Sequence, residues 1–395
     1  MPDTALPLAT TTWDQAEYDA IQRVVDSGFF SMGKEVRAFE EQFAAAMGSR
    51  FAVMVNSGSS ANLLFVAALR YHDRPLMPGD EVIVPAVSWS TSYYPFQQYG
   101  CHLKFVDIDA ATLNYDLDAL EAAVTDRTRA ILAVNLLGNP NDFDRIGAII
   151  GTRDIILLED NCESLGARFN GRQCGTFGLA GSYSSFFSHH ISTMEGGLVA
   201  TDDEKLYHIM LSVRAHGWTR NLPDPNHVTG TKGDDPFTES FRFVLPGYNL
   251  RPLEMSGAIG QAQLEKLPMI VRERRANAAR FKAVMSDFPQ IATQAETGES
   301  SWFGFSMVLD PQAGLARKTL VDALTGAGIE CRPIVAGNFA RNEVVEKHFD
   351  YSIHGTLANA DLIDRNGLFI GNHHYPLDDQ FARLAEVLRG VLGEA

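Results

Sequence analysis

What most constrains this chain is a regular alternation, beginning near Phe51, of short apolar runs with amphipathic segments. FAVMVNSG reads as a strand entering a glycine-containing turn, and SSANLLFVAALRY as the following helix, its start marked by serines that can cap free amides. EVIVPAV, HLKFVDID, RAILAVNLLG and DIILLED are further runs of strand length, separated by helical stretches such as DLDALEAAV. Strands joined through helices pair in parallel, so the pattern predicts an α/β fold: a mostly parallel sheet with helices on both faces. The length of 395 residues exceeds what one core usually fills, and predicts a large domain over residues 1–255. The helical stretch from Ser256 to Phe281 would then lead into a small C-terminal α/β domain, so that 256–395 form the second unit. Between them, Asn221 to Asp235 is rich in Gly, Pro and Asp and reads as a long exposed loop.

The formal net charge of −16 argues against a nucleic-acid partner, because neutralising phosphates takes clustered Lys and Arg. The opening MPDTALPLATTTW has neither a basic nor an apolar leader region, and no run of about 18 apolar residues occurs, so no membrane association and a cytoplasmic location are expected. Cys101, Cys162, Cys174 and Cys331 lie far apart and form no CxxC pair; neither a metal site nor an iron–sulfur cluster is expected, and they read as reduced packing residues.

Three stretches carry candidate chemistry. The turn Asn56 to Ala61 sits where a strand meets a helix, so Gly58, Ser59 and their neighbours either cradle a phosphate with free amides or simply cap the helix. ILLEDNCESLGA ends a buried strand with Glu159 and Asp160. An acid at that rim either keeps a bound pyridinium nitrogen protonated or is a solvated strand end. The third stretch is SYSSFFSHHISTMEGG, residues 182–197.

With that stretch, the chain resembles the DegT/DnrJ/EryC1/StrS family of sugar aminotransferases, whose pattern there is approximately S-F-H-x-x-K-N-I-T-x-x-E-G-G. VNSGSSAN, EVIVPAVSWSTS, LEDNCESLGA, RAHGW and PGYNLRPLEMSGAIGQAQLEKL match in order, so the resemblance runs from about Phe29 to the C-terminus. It implies the aspartate aminotransferase (type I PLP) fold and pyridoxal 5'-phosphate or pyridoxamine 5'-phosphate (PLP or PMP) as cofactor. It further implies that Asp160 pairs with the pyridine nitrogen, Trp89 stacks on the ring, and Glu163 lies near the ring hydroxyl. Gly58, Ser59 and Ser184 would bind the phosphate, and Asn249 would reach it from the neighbouring subunit of a homodimer with shared active sites.

The family lysine falls on His189. A lysine amine bonds covalently to the cofactor aldehyde and an imidazole cannot, so the cofactor is expected to be held non-covalently while His189 carries protons. This substitution resembles the deoxysugar 3-dehydratase branch. The implied substrate is a nucleotide-linked 4-keto-6-deoxyhexose that loses its C3 hydroxyl, with L-glutamate as amino donor. One subgroup, acting on CDP-sugars, carries four cysteines for a cluster that these cysteines do not match. The cluster-free subgroup, acting on GDP-4-keto-6-deoxy-D-mannose in colitose formation, fits better. Arg332 and Arg341 are candidate diphosphate ligands or surface ion-pair partners, because arginine's planar fork suits phosphates. His216 either approaches the substrate or packs. An aminotransferase using a displaced lysine and a non-catalytic sugar-nucleotide binder are the rival readings.

Overall fold

The computed structural model describes residues 5–393. The strands that read as nearly continuous apolar runs are buried on both faces, as parallel strands under two helical layers must be. They are β1 (Phe51–Val55), β2 (Glu81–Pro85), β3 (His102–Val106), β4 (Thr128–Val134) and β5 (Ile156–Asp160). A small hairpin, β6 (Arg168–Phe169) and β7 (Arg172–Gln173), precedes β8 (Ala180–Ser184) and β9 (Gly197–Thr201). Later come β10 (Ile291–Ala292), β11 (Gly304–Leu309), β12 (Cys331–Arg332), β13 (Tyr351–Ile353) and β14 (Gly367–Gly371). The main sheet runs β1-β9-β8-β5-β4-β2-β3-β13, and a second sheet runs β10-β11-β14-β12. In the main sheet only β9 pairs antiparallel with its neighbours.

Alternation along the strands divides the large core in two. Val82 and Val84 join one apolar cluster while Ile83 joins another; Ala130 and Leu132 likewise face away from Ile131 and Ala133. The second sheet packs on the C-terminal helix Asp378–Leu392 and on the end of the long helix Glu254–Met285, through Phe281, Phe305 and Phe381.

Chain from both sides of the expected division at residue 255 enters each layer. Tyr351–Ile353 returns to the main sheet as its edge strand beside β3, and Leu6 lies in the core of the second sheet, bridged to Ile329. Neither connection has a local signature, since each depends on partners more than 200 residues away along the chain. Helices α1 (Gln15–Ser27) and α2 (Lys34–Met47) pack against the long helix. Gly33 offers α2 no capping side chain; instead the buried Glu254 carboxylate accepts from the amides of Gly33, at 2.6 Å, and Glu35, at 2.7 Å. Residues 221–235 form turns without helix or strand. No described helix is long and apolar enough to cross a membrane.

Candidate active site

Four crossovers converge at the carboxyl ends of the main-sheet strands, the rim at which open α/β sheets bind ligands. There β1 turns into α3 (Gly58–Leu69), β2 leads through Trp89 into α4 (Ser90–Gln98), β5 ends on Asp160, and β8 ends on Ser184. They enclose a cavity of about 310 Å³. Gly58, Ser59, Trp89, Asp160, Glu163 and Ser184 all line it, together with His189 and Arg332.

At the start of α3 the Ser57 hydroxyl accepts from the Ser60 amide at 3.1 Å, leaving the amides of Gly58 and Ser59 without an acceptor among the described residues. Such a helix start attracts an anion. Gly58 is required by space: a Cβ there would lie 2.6 Å from the Ser184 Cβ and 3.0 Å from the Cys162 sulfur. The hydroxyl of Ser59 reaches Thr91 at 3.0 Å, tying α3 to α4.

Neighbouring strand residues face opposite ways, so Glu159 and Asp160 part company. Glu159 turns from the cavity and accepts from the amides of Gly175, Phe177 and Gly178 at 2.5–2.8 Å; complete burial still pushes its carboxyl up to about 7. Asp160 turns inward. Its Oδ2 accepts from Asn62 at 2.8 Å and Ser92 at 2.7 Å, and its Oδ1 from the Cys162 amide at 3.1 Å. The sequence reading missed Asn62 and Ser92. Asn62 lies one helical turn beyond Gly58, and Ser92 follows Trp89 by three, so helical period placed both on the cavity side. The Trp89 indole is 57% exposed, an apolar plate open to the cavity.

His189 sits half-buried in the loop after β8, with its ring centroid 5.1 Å from that of Phe303. Burial, reinforced by the charges of Arg332 and Arg274, pushes the imidazole down to about 3, so it is neutral at pH 7. Glu163 accepts from the Leu137 amide at 3.0 Å; burial raises its carboxyl to about 7 against the pull of that amide and of Arg332. Arg332 lies at the mouth over Phe369, 4.7 Å from the ring centroid. No lysine lines the cavity among the described residues. Phe186, Ser188 and Glu195 complete this side and were not foreseen; they flank His189 on the same loop.

Three expected residues lie elsewhere. Arg341 pairs in two-point fashion with Asp361, the ion-pair alternative the sequence left open, and does not line this chain's cavity. The half-buried His216 and the exposed Asn249 also lie outside this chain's cavity, side by side where Ala215 bridges to Asn249 and the His216 amide donates to the Tyr248 carbonyl at 2.7 Å. Phe237, Phe241 and Phe243 stand open on the same segment, 88%, 64% and 55% exposed. The donor set fits a phosphorylated pyridine: free helix-start amides, an aromatic plate and a buried carboxylate share one cavity.

Comparison with known proteins agrees with this geometry. A protein of Escherichia coli O55:H7 described as GDP-4-keto-6-deoxy-D-mannose 3-dehydratase is 62% identical over 384 residues, 97% of this chain and 99% of that one. A structure of the Escherichia coli dehydratase with bound hydrated PLP superposes with a TM-score of 0.96 at 62% identity, covering 97% of this chain and 99% of the other. Another, of a GDP-4-keto-6-deoxymannose-3-dehydratase with a trapped PLP–glutamate geminal diamine, gives 0.96 at 61% identity, covering 97% and 100%. The model of the DegT/DnrJ/EryC1/StrS aminotransferase family matches residues 11–389, and with an apolar plate, a buried aspartate and a helix-start cradle in the places its motifs require, this chain belongs to that family.

Proposed function

We propose that this protein is a PLP/PMP-dependent lyase that removes the C3 hydroxyl of a nucleotide-linked 4-keto-6-deoxyhexose, with GDP-4-keto-6-deoxy-D-mannose as its substrate. The observation that carries the reading is a histidine, with no lysine, in a cavity otherwise equipped for the cofactor. When bound, the cofactor supplies an amine that condenses with the 4-keto group and a ring that draws electrons from the adjoining carbons. Gly58, Ser59 and Ser184 hold its phosphate; Trp89 covers one ring face. Asp160, oriented by Asn62 and Ser92, faces the ring nitrogen and keeps it protonated. His189 would take a proton from C4′ and return it to the C3 hydroxyl, which leaves as water; with no lysine amine to displace the product, a water molecule frees the unsaturated amine from the cofactor and a second hydrolyses it to the 3-deoxy-4-keto sugar and ammonia. L-Glutamate then recharges PLP to PMP and departs as 2-oxoglutarate. Arg332 stands at the mouth, where a diphosphate or the donor's carboxylate enters. Asn249 and His216 act in the partner's site within a homodimer, which accounts for their position outside this chain's own cavity. The site of action is the cytoplasm.

The direct test is to incubate the protein with PLP, L-glutamate and GDP-, CDP- or dTDP-linked 4-keto-6-deoxy sugars and follow products by mass spectrometry. Loss of one oxygen from the GDP-sugar is expected. Gain of an amine instead would make the protein an aminotransferase, and absence of 2-oxoglutarate would leave a non-catalytic binder.

A further inference from the structure

The loop joining β8 to β9, residues 185–196, holds His189 without helix or strand to stiffen it. Its base closes on itself: the Ser185 amide donates to the Gly196 carbonyl at 2.9 Å, Thr193 to Ser185 at 2.8 Å, and Phe187 to Met194 at 3.1 Å. Ser192 is outside that set. It is 1% exposed, so its backbone N–H and C=O cannot turn to water and must find protein partners.

Both partners come from distant chain. Gln263, on the long helix, accepts the Ser192 N–H with Oε1 at 3.0 Å, and the Trp13 indole N–H donates to the Ser192 carbonyl at 2.9 Å. Gln263 is fully buried and saturated. Its Oε1 also accepts from the Thr12 hydroxyl at 2.5 Å, while its Nε2 donates to the Thr12 carbonyl at 3.2 Å and to Glu17 at 2.7 Å. Reversing the amide would set its nitrogen against the Ser192 N–H, so only one orientation satisfies every group. On the other side, His190 meets the Ser301 carbonyl at 3.0 Å. The N-terminal arm, α1 and the long helix thus converge on a residue three positions beyond His189.

We infer that Gln263 and Trp13 are positioning residues for His189: by gripping the backbone of Ser192 they fix where the imidazole stands in the cavity. This rests on His189 being the proton carrier. Proton transfer demands placement within a fraction of an ångström, which the hydrogen bonds at the loop's base and the His190 contact on one side do not provide without a hold on the other. Neither residue lines the cavity, so any effect on chemistry passes through the loop.

The test uses Trp13→Phe, which keeps an aromatic ring and deletes the N–H, and Gln263→Leu, with Trp13→Phe carrying the case if the second does not fold. Rates are read as the first turnover of bound PLP with L-glutamate, by absorbance, and as kcat for deoxygenation. Each is expected to fall roughly tenfold, with Kd for PLP and KM for the sugar nucleotide within about twofold of wild type. In a His189→Asn background, Trp13→Phe should bring no further loss of the first-turnover rate. Unchanged rates, an equal loss in the His189→Asn background, or Kd and KM rising in step with the fall in kcat would each overturn the inference. A His189→Asn protein as fast as wild type would instead sink the reading of His189, and the inference with it.

Discussion

The difference between an amine and an imidazole at position 189 decides whether the cofactor is tethered. His189→Lys is expected to make PLP reducible onto the protein by borohydride, seen as a mass gain, and to suppress C3 deoxygenation. Deoxygenation at the wild-type rate in that variant would exclude His189 as the base. At Gly58 the constraint is steric. The Cβ of Gly58→Ala would press on Ser184 at 2.6 Å, and overpacking of this kind costs about 1–3 kcal/mol. PLP affinity, measured by equilibrium dialysis, should therefore weaken roughly tenfold or more. These residues were legible in the sequence because the chemistry of each shows in its immediate neighbours: serines around a glycine, acids ending an apolar run, a histidine within an otherwise matching motif.

Among the elements, the N-terminal arm gained most from the structure. Its sequence carries no strong local pattern, whereas in the structure Gln263 holds Thr12, Trp13 reaches the Ser192 carbonyl, and the ring of the buried His373 meets the Pro7 carbonyl at 2.9 Å and the Thr10 hydroxyl at 3.1 Å. Burial, with Arg274 adding to it, holds that imidazole down to about 4. Between pH 6.5 and 4 the unfolded chain takes up a proton there that the folded chain refuses, so stability falls as pH falls through this window; above 6.5 the group is neutral in both states. Relative to His373→Gln, the wild-type protein should lose on the order of 3 kcal/mol on going from pH 7 to 4, read from denaturant unfolding. Glu159 and Glu163, both raised to about 7, act in the opposite sense but are common to both proteins and cancel in the difference. A constant gap across that range would show that His373 titrates normally.

For the whole molecule the position of Asn249 and His216 bears on assembly, since both stand away from this chain's own cavity amid exposed aromatic side chains. If Asn249 completes the partner's site, mixing inactive Asp160→Asn and Asn249→Ala proteins produces hybrid dimers with one intact site in two. An equal mixture should recover about a quarter of wild-type turnover; no recovery would place Asn249 in its own subunit's site, and an Asn249→Ala protein active by itself would place it in none. The mostly parallel sheet and the residues gathered at its strand ends were legible in the sequence, because hydrophobic period and turn chemistry act over a few residues. The destiny of Arg341 was not, since its rival ligand Asp361 lies 20 residues on. Nor were the edge strand Tyr351–Ile353 and the Gln263 clamp, which pair residues 71 to 251 apart along the chain. Sequence by itself determined which groups this protein owns and which local structure presents them. Only the tertiary structure decided which of those groups meet, because burial makes every unpaired donor costly and packing alone selects the partner that satisfies it.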